Sequence, residues 1–171
     1  MVDSGGVIAY PTEGVFGLGC DPLDYYAVSK ILQIKKRGVS KGLILIASNL
    51  NQLSPYIIKP AQNRWQQVLK TWPGSVSWAL TGSVLCPEWI RGAHPTVVVR
   101  VSKHPVVKAI CDALGYAIVS TSANISSRAA LDSAIKVRKA LLDVDLIVPG
   151  NTIIKGQPSK IYVAATGERL R

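Results

Sequence analysis

Apolar positions fall in short runs that alternate between strand-like and helix-like spacing, separated by glycine, proline and polar stretches. Residues 6–10 form an apolar run closed by Pro11, which predicts a buried strand ending in a loop. A helix is expected next. Asp21 can cap it and Pro22 suits its first turn. Tyr25, Val28, Ile31 and Leu32 then recur at helical spacing until Lys35-Lys36-Arg37 and Gly38 stop it. Residues 43–47, Leu-Ile-Leu-Ile-Ala, read as a strand apolar on both faces.

Further along, 62–72 is helical in pattern and ends at Pro73-Gly74, 96–101 is β-branched and strand-like, and 105–114 is a helix closed by Gly115. Residues 116–119 predict a strand that delivers a serine-rich loop, 130–142 a basic amphipathic helix, and 146–148 and 160–164 two more strands. Strands and helices alternate, but the interval 76–101 holds strands with no helix between them. The pattern predicts a single α/β domain over 1–171, built on a twisted mixed β-sheet flanked by helices.

Composition narrows the class. A chain of 171 residues with 48% hydrophobic content can bury a full core as one domain. Cys20, Cys86 and Cys111 are odd in number and widely spaced, so they read as buried thiols of a reducing compartment and not as a disulfide framework or zinc site. No apolar run is long enough to span a bilayer and the first residues lack a signal-peptide pattern, so the expectation is a cytoplasmic protein without a membrane partner.

The net charge is +10, and between Tyr25 and Pro87 there is no acidic residue while eight Lys and Arg occur. Such a one-signed stretch attracts phosphates, whether of a nucleotide or of RNA. Two polar clusters sit where apolar segments hand over to loops: Lys35-Lys36-Arg37 and Ser120-Thr121-Ser122-Ala123-Asn124. Cations that neutralise oxygens, together with short neutral donors that orient them, make a receptor for a polyphosphate.

Several motifs are set aside on physical grounds. Gly38-Val39-Ser40-Lys41-Gly42 matches the serine-hydrolase pattern, but a helix precedes it and a strand follows, the reverse of a nucleophile elbow. The glycines of Gly14-Val15-Phe16-Gly17-Leu18-Gly19 are in the wrong order for a dinucleotide fingerprint, and no P-loop is present. His94 and His104 each precede a proline, far apart, and read as loop residues and not as metal ligands or bases. No metal site is expected.

The segment Pro11-Thr12-Glu13-Gly14-Val15-Phe16-Gly17-Leu18-Gly19 reads by composition as a glycine-rich loop or turn after a strand. Taken with Lys35-Lys36-Arg37, Trp72-Pro73-Gly74, Val99-Arg100, Ser120-Thr121-Ser122-Ala123-Asn124 and Pro158-Ser159, it resembles the ordered motif set of the YrdC/TsaC family, the threonylcarbamoyl-AMP synthases. The resemblance implies a YrdC-like α/β domain with a concave basic face. It also implies a nucleotidyltransferase that condenses L-threonine, bicarbonate and ATP into threonylcarbamoyl-AMP and pyrophosphate. The product serves threonylcarbamoyladenosine formation in tRNAs that read codons beginning with A, through downstream transferase proteins.

By the same resemblance, Lys35, Arg37, Ser122 and Asn124 are the expected ATP-binding residues, with Lys35 and Arg37 in the catalytic role. Thr12, Arg100, Ser120 and Ser159 are expected on the threonine side. Mg²⁺ is expected to arrive with ATP. The chain departs from the family pattern at Gly38, where proline is usual, at Ser75 and Ser77 in place of Pro-x-Thr, and at Ser127-Arg128-Ala129 in place of Gly-x-Pro. The competing expectation is a non-catalytic RNA-binding protein for tRNA or rRNA maturation, drawn from the charge and the run Lys136-Val137-Arg138-Lys139. Aromatic RNA-stacking signatures are missing from the sequence, which weighs against it.

Overall fold

The computed structural model describes residues 1–154 and 156–171. Its strands are β1 (Ile8–Pro11), β2 (Phe16–Gly19), β3 (Ile44–Ala47), β4 (Val76–Thr81), β5 (Thr96–Val101), β6 (Ile118–Ser122), β7 (Leu146–Ile147) and β8 (Lys160–Val163). They join one sheet in the order β7-β1-β2-β6-β3-β5-β4-β8. The pairs β1/β7, β3/β5 and β4/β8 are parallel and the others antiparallel, so the sheet is mixed as expected. The helices are α1 (Tyr25–Lys35), α2 (Gln62–Lys70), α3 (Glu88–Arg91), α4 (Pro105–Leu114) and α5 (Ala134–Ala140).

Alternation along the strands divides the core in two. Ala9, Leu18, Val119, Leu45, Val99 and Leu80 face the larger core, which takes in Val28 and Ile31 of α1, Trp65 and Val68 of α2 and Val137 of α5. Ile8, Tyr10, Ile46 and Ile118 face the other way, against Val107 and Cys111 of α4. Helix α4 therefore covers part of the second face. The next row across that face, the register partners Ser120, Ile44, Val98 and Ala79, is not roofed by a helix and forms the floor of a cavity.

Local chemistry explains where the elements begin and stop. Asp24, not Asp21, caps α1: its Oδ1 accepts from the Tyr26 and Ala27 amides at 2.9 and 3.0 Å, while Asp21 accepts from Leu23. Helix α1 ends in a Schellman pair, with Lys36 N–H donating to Gln33 O and Arg37 N–H to Leu32 O. Lys36 holds the left-handed conformation there, φ 49°, a position that glycine usually occupies. Helix α4 has the expected ends, Pro105 at its start and Gly115 at φ 79° after it.

Four further expectations are corrected. The segment 11–19 is a tight turn followed by β2, and Gly17 and Gly19 lie on one face of that strand because Tyr10 packs there. A Cβ on Gly19 would sit 2.7 Å from the Tyr10 ring and from Val119 O. The serines of 120–122 are strand and not loop, since β6 runs on to pair Thr121 with Leu18 and Ser122 with Gly17. The predicted helix 130–142 starts at Ala134, capped by Ser133, because the Leu131 backbone is already committed to Phe16 N–H and Ala123 O. Finally, the one-turn helix α3 lies between β4 and β5.

Candidate active site

The uncovered stretch of sheet is the floor of a cavity of about 290 Å³. Among the described residues its lining carries five cationic side chains, Arg37, Lys41, Arg91, Arg100 and Arg171, and no Asp or Glu. Hydroxyls of Thr12, Ser120, Thr121, Ser122 and Ser159 lie among them. Desolvation, and then the Arg100 and Arg37 guanidiniums, lower the Arg171 pKa, the effect expected where like charges are held together. A space so built offers donors and positive charge to an anion and repels cations.

Each predicted residue can be placed. Arg37 leaves the end of α1 toward the cavity, and its Nη2 donates to the Gly42 and Lys41 carbonyls at 3.0 and 3.3 Å. Its buried Nε has no partner. Thr12 is in the β1–β2 turn, where its hydroxyl donates to Val15 O at 2.7 Å. Ser120 and Ser122 point from β6 into the lining, and Ser159 bridges Ser77 Oγ and Arg171 Nη2, each at 3.1 Å. Ser77 is one of the departures from the family pattern, and its hydroxyl meets a lining residue.

Lys35 and Asn124 are brought together but stand behind the lining. The Lys35 ammonium, 2% exposed, donates to Ser122 O, to Asn124 O at 3.0 Å and to Asn124 Oδ1 at 3.1 Å. Asn124 also accepts from Ser122 Oγ at 2.6 Å and donates to the Ile125 and Arg128 carbonyls. Three of the predicted four are thus one connected unit, in which Lys35 and Asn124 fix the path of the segment that presents Ser122, while Arg37 is held separately by the Lys41 and Gly42 carbonyls. The neighbouring Ser127 is left-handed at φ 68°, where the family pattern places glycine, whereas Gly38 at φ −67° keeps a proline-compatible backbone.

Arg100 is held by an ion pair that sequence reasoning did not assign. Its Nη1 lies 3.3 Å from Glu13 Oε2, with both side chains almost wholly buried. Arg171 was also missed, because it lies far from every other site residue in sequence. The pairing of the final segment with β8, through Leu170 N–H to Ile161 O at 2.8 Å, brings it to the cavity. His94 lies in the lining, while His104 is buried and caps α4.

The set-aside motifs stay outside the chemistry. Ser40 is on the surface in a 3-10 turn, Val39–Lys41, with no histidine bonded to it. Burial pushes the Cys86 thiol up to about 11 and Cys111 to about 12, so these thiols are poor nucleophiles. All three cysteines are free and buried. Among the described residues no helix is long and apolar enough to cross a membrane.

A mixed-sheet α/β domain with a bare stretch of sheet under converging arginines and hydroxyls defines a protein with an anion-receptive cavity. The model of the Sua5/YciO/YrdC family, described as "Telomere recombination", matches residues 1–171, and the chain belongs to that family. It is 45% identical to the threonylcarbamoyl-AMP synthase of Nitrosococcus oceani over 172 residues, covering all of this chain and 93% of that protein. It is also 45% identical to the threonylcarbamoyl-AMP synthase of Xanthomonas euvesicatoria pv. vesicatoria, covering 98% of this chain and 91% of that one. P. abyssi Sua5 complexed with L-threonine superposes with a TM-score of 0.90 at 27% identity over 98% of this chain. The chain spans 50% of that longer protein. E. coli YciO superposes at 0.84, with 27% identity, over 95% of this chain and 79% of its own.

Proposed function

We propose that this protein is a threonylcarbamoyl-AMP synthase, joining L-threonine, bicarbonate and ATP with release of pyrophosphate. The observation that carries the reading is the acid-free cavity in which Arg37, Arg100 and Arg171 converge with short hydroxyls, in a chain whose full-length relatives bear that synthase name. These findings favour the synthase over the RNA-binding alternative: the charge gathers in a cavity sized for small molecules, and a Sua5 structure holds L-threonine.

The chemistry assigns roles. The threonine amine adds to bicarbonate to give a carbamate with loss of water. A carbamate oxygen then attacks the α-phosphorus of ATP, and the bond to pyrophosphate breaks. No protein nucleophile is needed. Negative charge grows on the leaving pyrophosphate, where Arg37 is the fixed donor and the Ser122 hydroxyl orients an oxygen once its hydrogen turns from Asn124 Oδ1 to the ligand. Lys35 and Asn124 serve the ATP side by holding that segment. Thr12, Arg100, Ser120 and Ser159 form the threonine side, with Arg100 suited to its carboxylate.

Mg²⁺ comes as the ATP complex, since among the described residues no Asp or Glu lines the cavity to hold it. The enzyme class is nucleotidyltransferase, the compartment the cytoplasm. The product passes to the transferase proteins that complete threonylcarbamoyladenosine on tRNA.

The test is pyrophosphate release from ATP by the purified protein. Release is expected only when both threonine and bicarbonate are present. Release that ignores threonine, or none at all while tRNA binds tightly, overturns the reading.

Lys35 gives the site a pH dependence. Burial, and then the Arg37 guanidinium, lower its pKa to about 8. An unfolded lysine titrates near 10.4, so between these values the unfolded chain binds more protons and this group's contribution to folding stability rises with pH. Ligand binding runs the other way. Loss of a proton removes one of three N–H donors in a cage of three acceptors. ATP affinity is therefore expected to fall as pH rises through about 8. Titration calorimetry across that range checks it, and an affinity that stays flat refutes the assignment.

A further inference from the structure

We propose that Glu13 is a positioning residue, which fixes the Arg100 guanidinium in the orientation that receives a substrate carboxylate. The inference rests on the assignment of Arg100 to the threonine side. Glu13 is 3% exposed and Arg100 5%, so neither charge is screened by water. The two carboxylate oxygens have separate tasks. Oε1 accepts from Ser102 Oγ at 2.7 Å and from Lys103 N–H at 3.2 Å, which anchors the β1–β2 turn to the end of β5. Oε2 accepts no hydrogen bond among the described residues and lies 3.3 Å from Arg100 Nη1, an ion pair.

An anchor alone would need only the first oxygen. The second lies within ion-pair range of one corner of a five-donor fork without a hydrogen bond to it, and leaves the fork's donors, including a buried Nε without a partner among the described residues, for another acceptor. Arginine binds a carboxylate best when its plane is preset, because two parallel N–H bonds require one orientation. A long side chain at the floor of a cavity loses that orientation if its counter-charge is neutralised. The pair also lowers the excess positive charge beside Arg37 and Arg171, leaving those two to attract phosphates. Glu13 thus separates a carboxylate-reading arginine from two phosphate-reading ones.

The experiment compares steady-state kinetics of the full chain with Glu13→Gln, Ser102→Ala and Arg100→Lys variants, following pyrophosphate release. Glu13→Gln is expected to raise the threonine KM about tenfold, with the ATP KM and kcat nearly unchanged, as for loss of a uniform binding contact. Ser102→Ala, which loosens Glu13 without unpairing Arg100, should raise the same KM by about threefold. Glu13→Asp should recover part of the loss. Should Glu13→Gln fail to fold, the Ser102→Ala and Glu13→Asp comparison decides. Equal rises in both KM values, or no rise in threonine KM, overturn the positioning role when Arg100→Lys does raise it. If Arg100→Lys leaves the threonine KM untouched, the assignment of Arg100 itself falls, and Glu13 with it.

Discussion

Arg37→Ala is expected to lower pyrophosphate release by about a hundredfold or more, the usual consequence of removing a fixed donor from developing negative charge. Arg37 is placed for that task by three features: the left-handed Lys36 that ends α1, the Gly42 carbonyl that holds Nη2 at 3.0 Å, and the bare floor that its fork overlooks. Arg64→Ala is the matched control. Arg64 belongs to the same acid-free stretch, but it projects from α2 to Thr166 O and Gln67 Oε1, away from the cavity lining. Its loss should change the rate by less than about twofold, as for surface substitutions remote from special features. Arg37→Lys separates charge from shape, since lysine keeps the charge but not the fork. Equal losses at Arg37 and Arg64 would show that diffuse charge, and not a built site, drives the reaction.

The sequence disclosed those parts of the fold whose signals are local. Helix α4 carries proline at one end and glycine at the other, and both act in the structure as their backbone preferences require. The double-faced strand β3 is buried between neighbours on both sides, as its unbroken apolar run demands. What escaped depended on partners remote in sequence. Gly17 and Gly19 look like a flexible loop until Tyr10 is known to cross them, and Ser120 to Ser122 look like a loop until β2 is known to pair with them. The period-two spacing of the glycines was the available hint.

The candidate site shows the same division. The basic cluster and the serine segment are legible because they interrupt apolar periodicity. Their division of labour is not, because it depends on which way each side chain turns. Lys35 reads as one of three surface cations, yet it continues the buried stripe of Val28 and Ile31 on α1 and is itself buried. A lysine at the next position of an apolar stripe was the sign that its charge is used inside. Arg171 gave no local sign, and Glu13 was quoted in its motif without a partner.

Lys35→Met is expected to produce the largest loss of stability among the site variants. Methionine matches the length and apolar stem of lysine but donates nothing. Ser122 O would keep the Asn124 N–H and Asn124 Oδ1 the Ser122 hydroxyl, but Asn124 O would lose its Lys35 donor. A buried acceptor left bare costs about 1–3 kcal/mol. Relief from burying an ammonium offsets part of that sum, as its lowered pKa of about 8 indicates. A net loss of roughly 1–2 kcal/mol lowers the melting temperature of a domain this size by roughly 2–8 °C. ATP affinity should fall as well, because Ser122 loses its fixed position. Lys36→Met, at the adjacent exposed residue, should stay within about 0.5 kcal/mol of the parent. Scanning calorimetry of the two variants decides the matter: similar melting temperatures would mean that the Lys35 cage does not hold the ATP-side segment, and that the ammonium must instead act within the cavity.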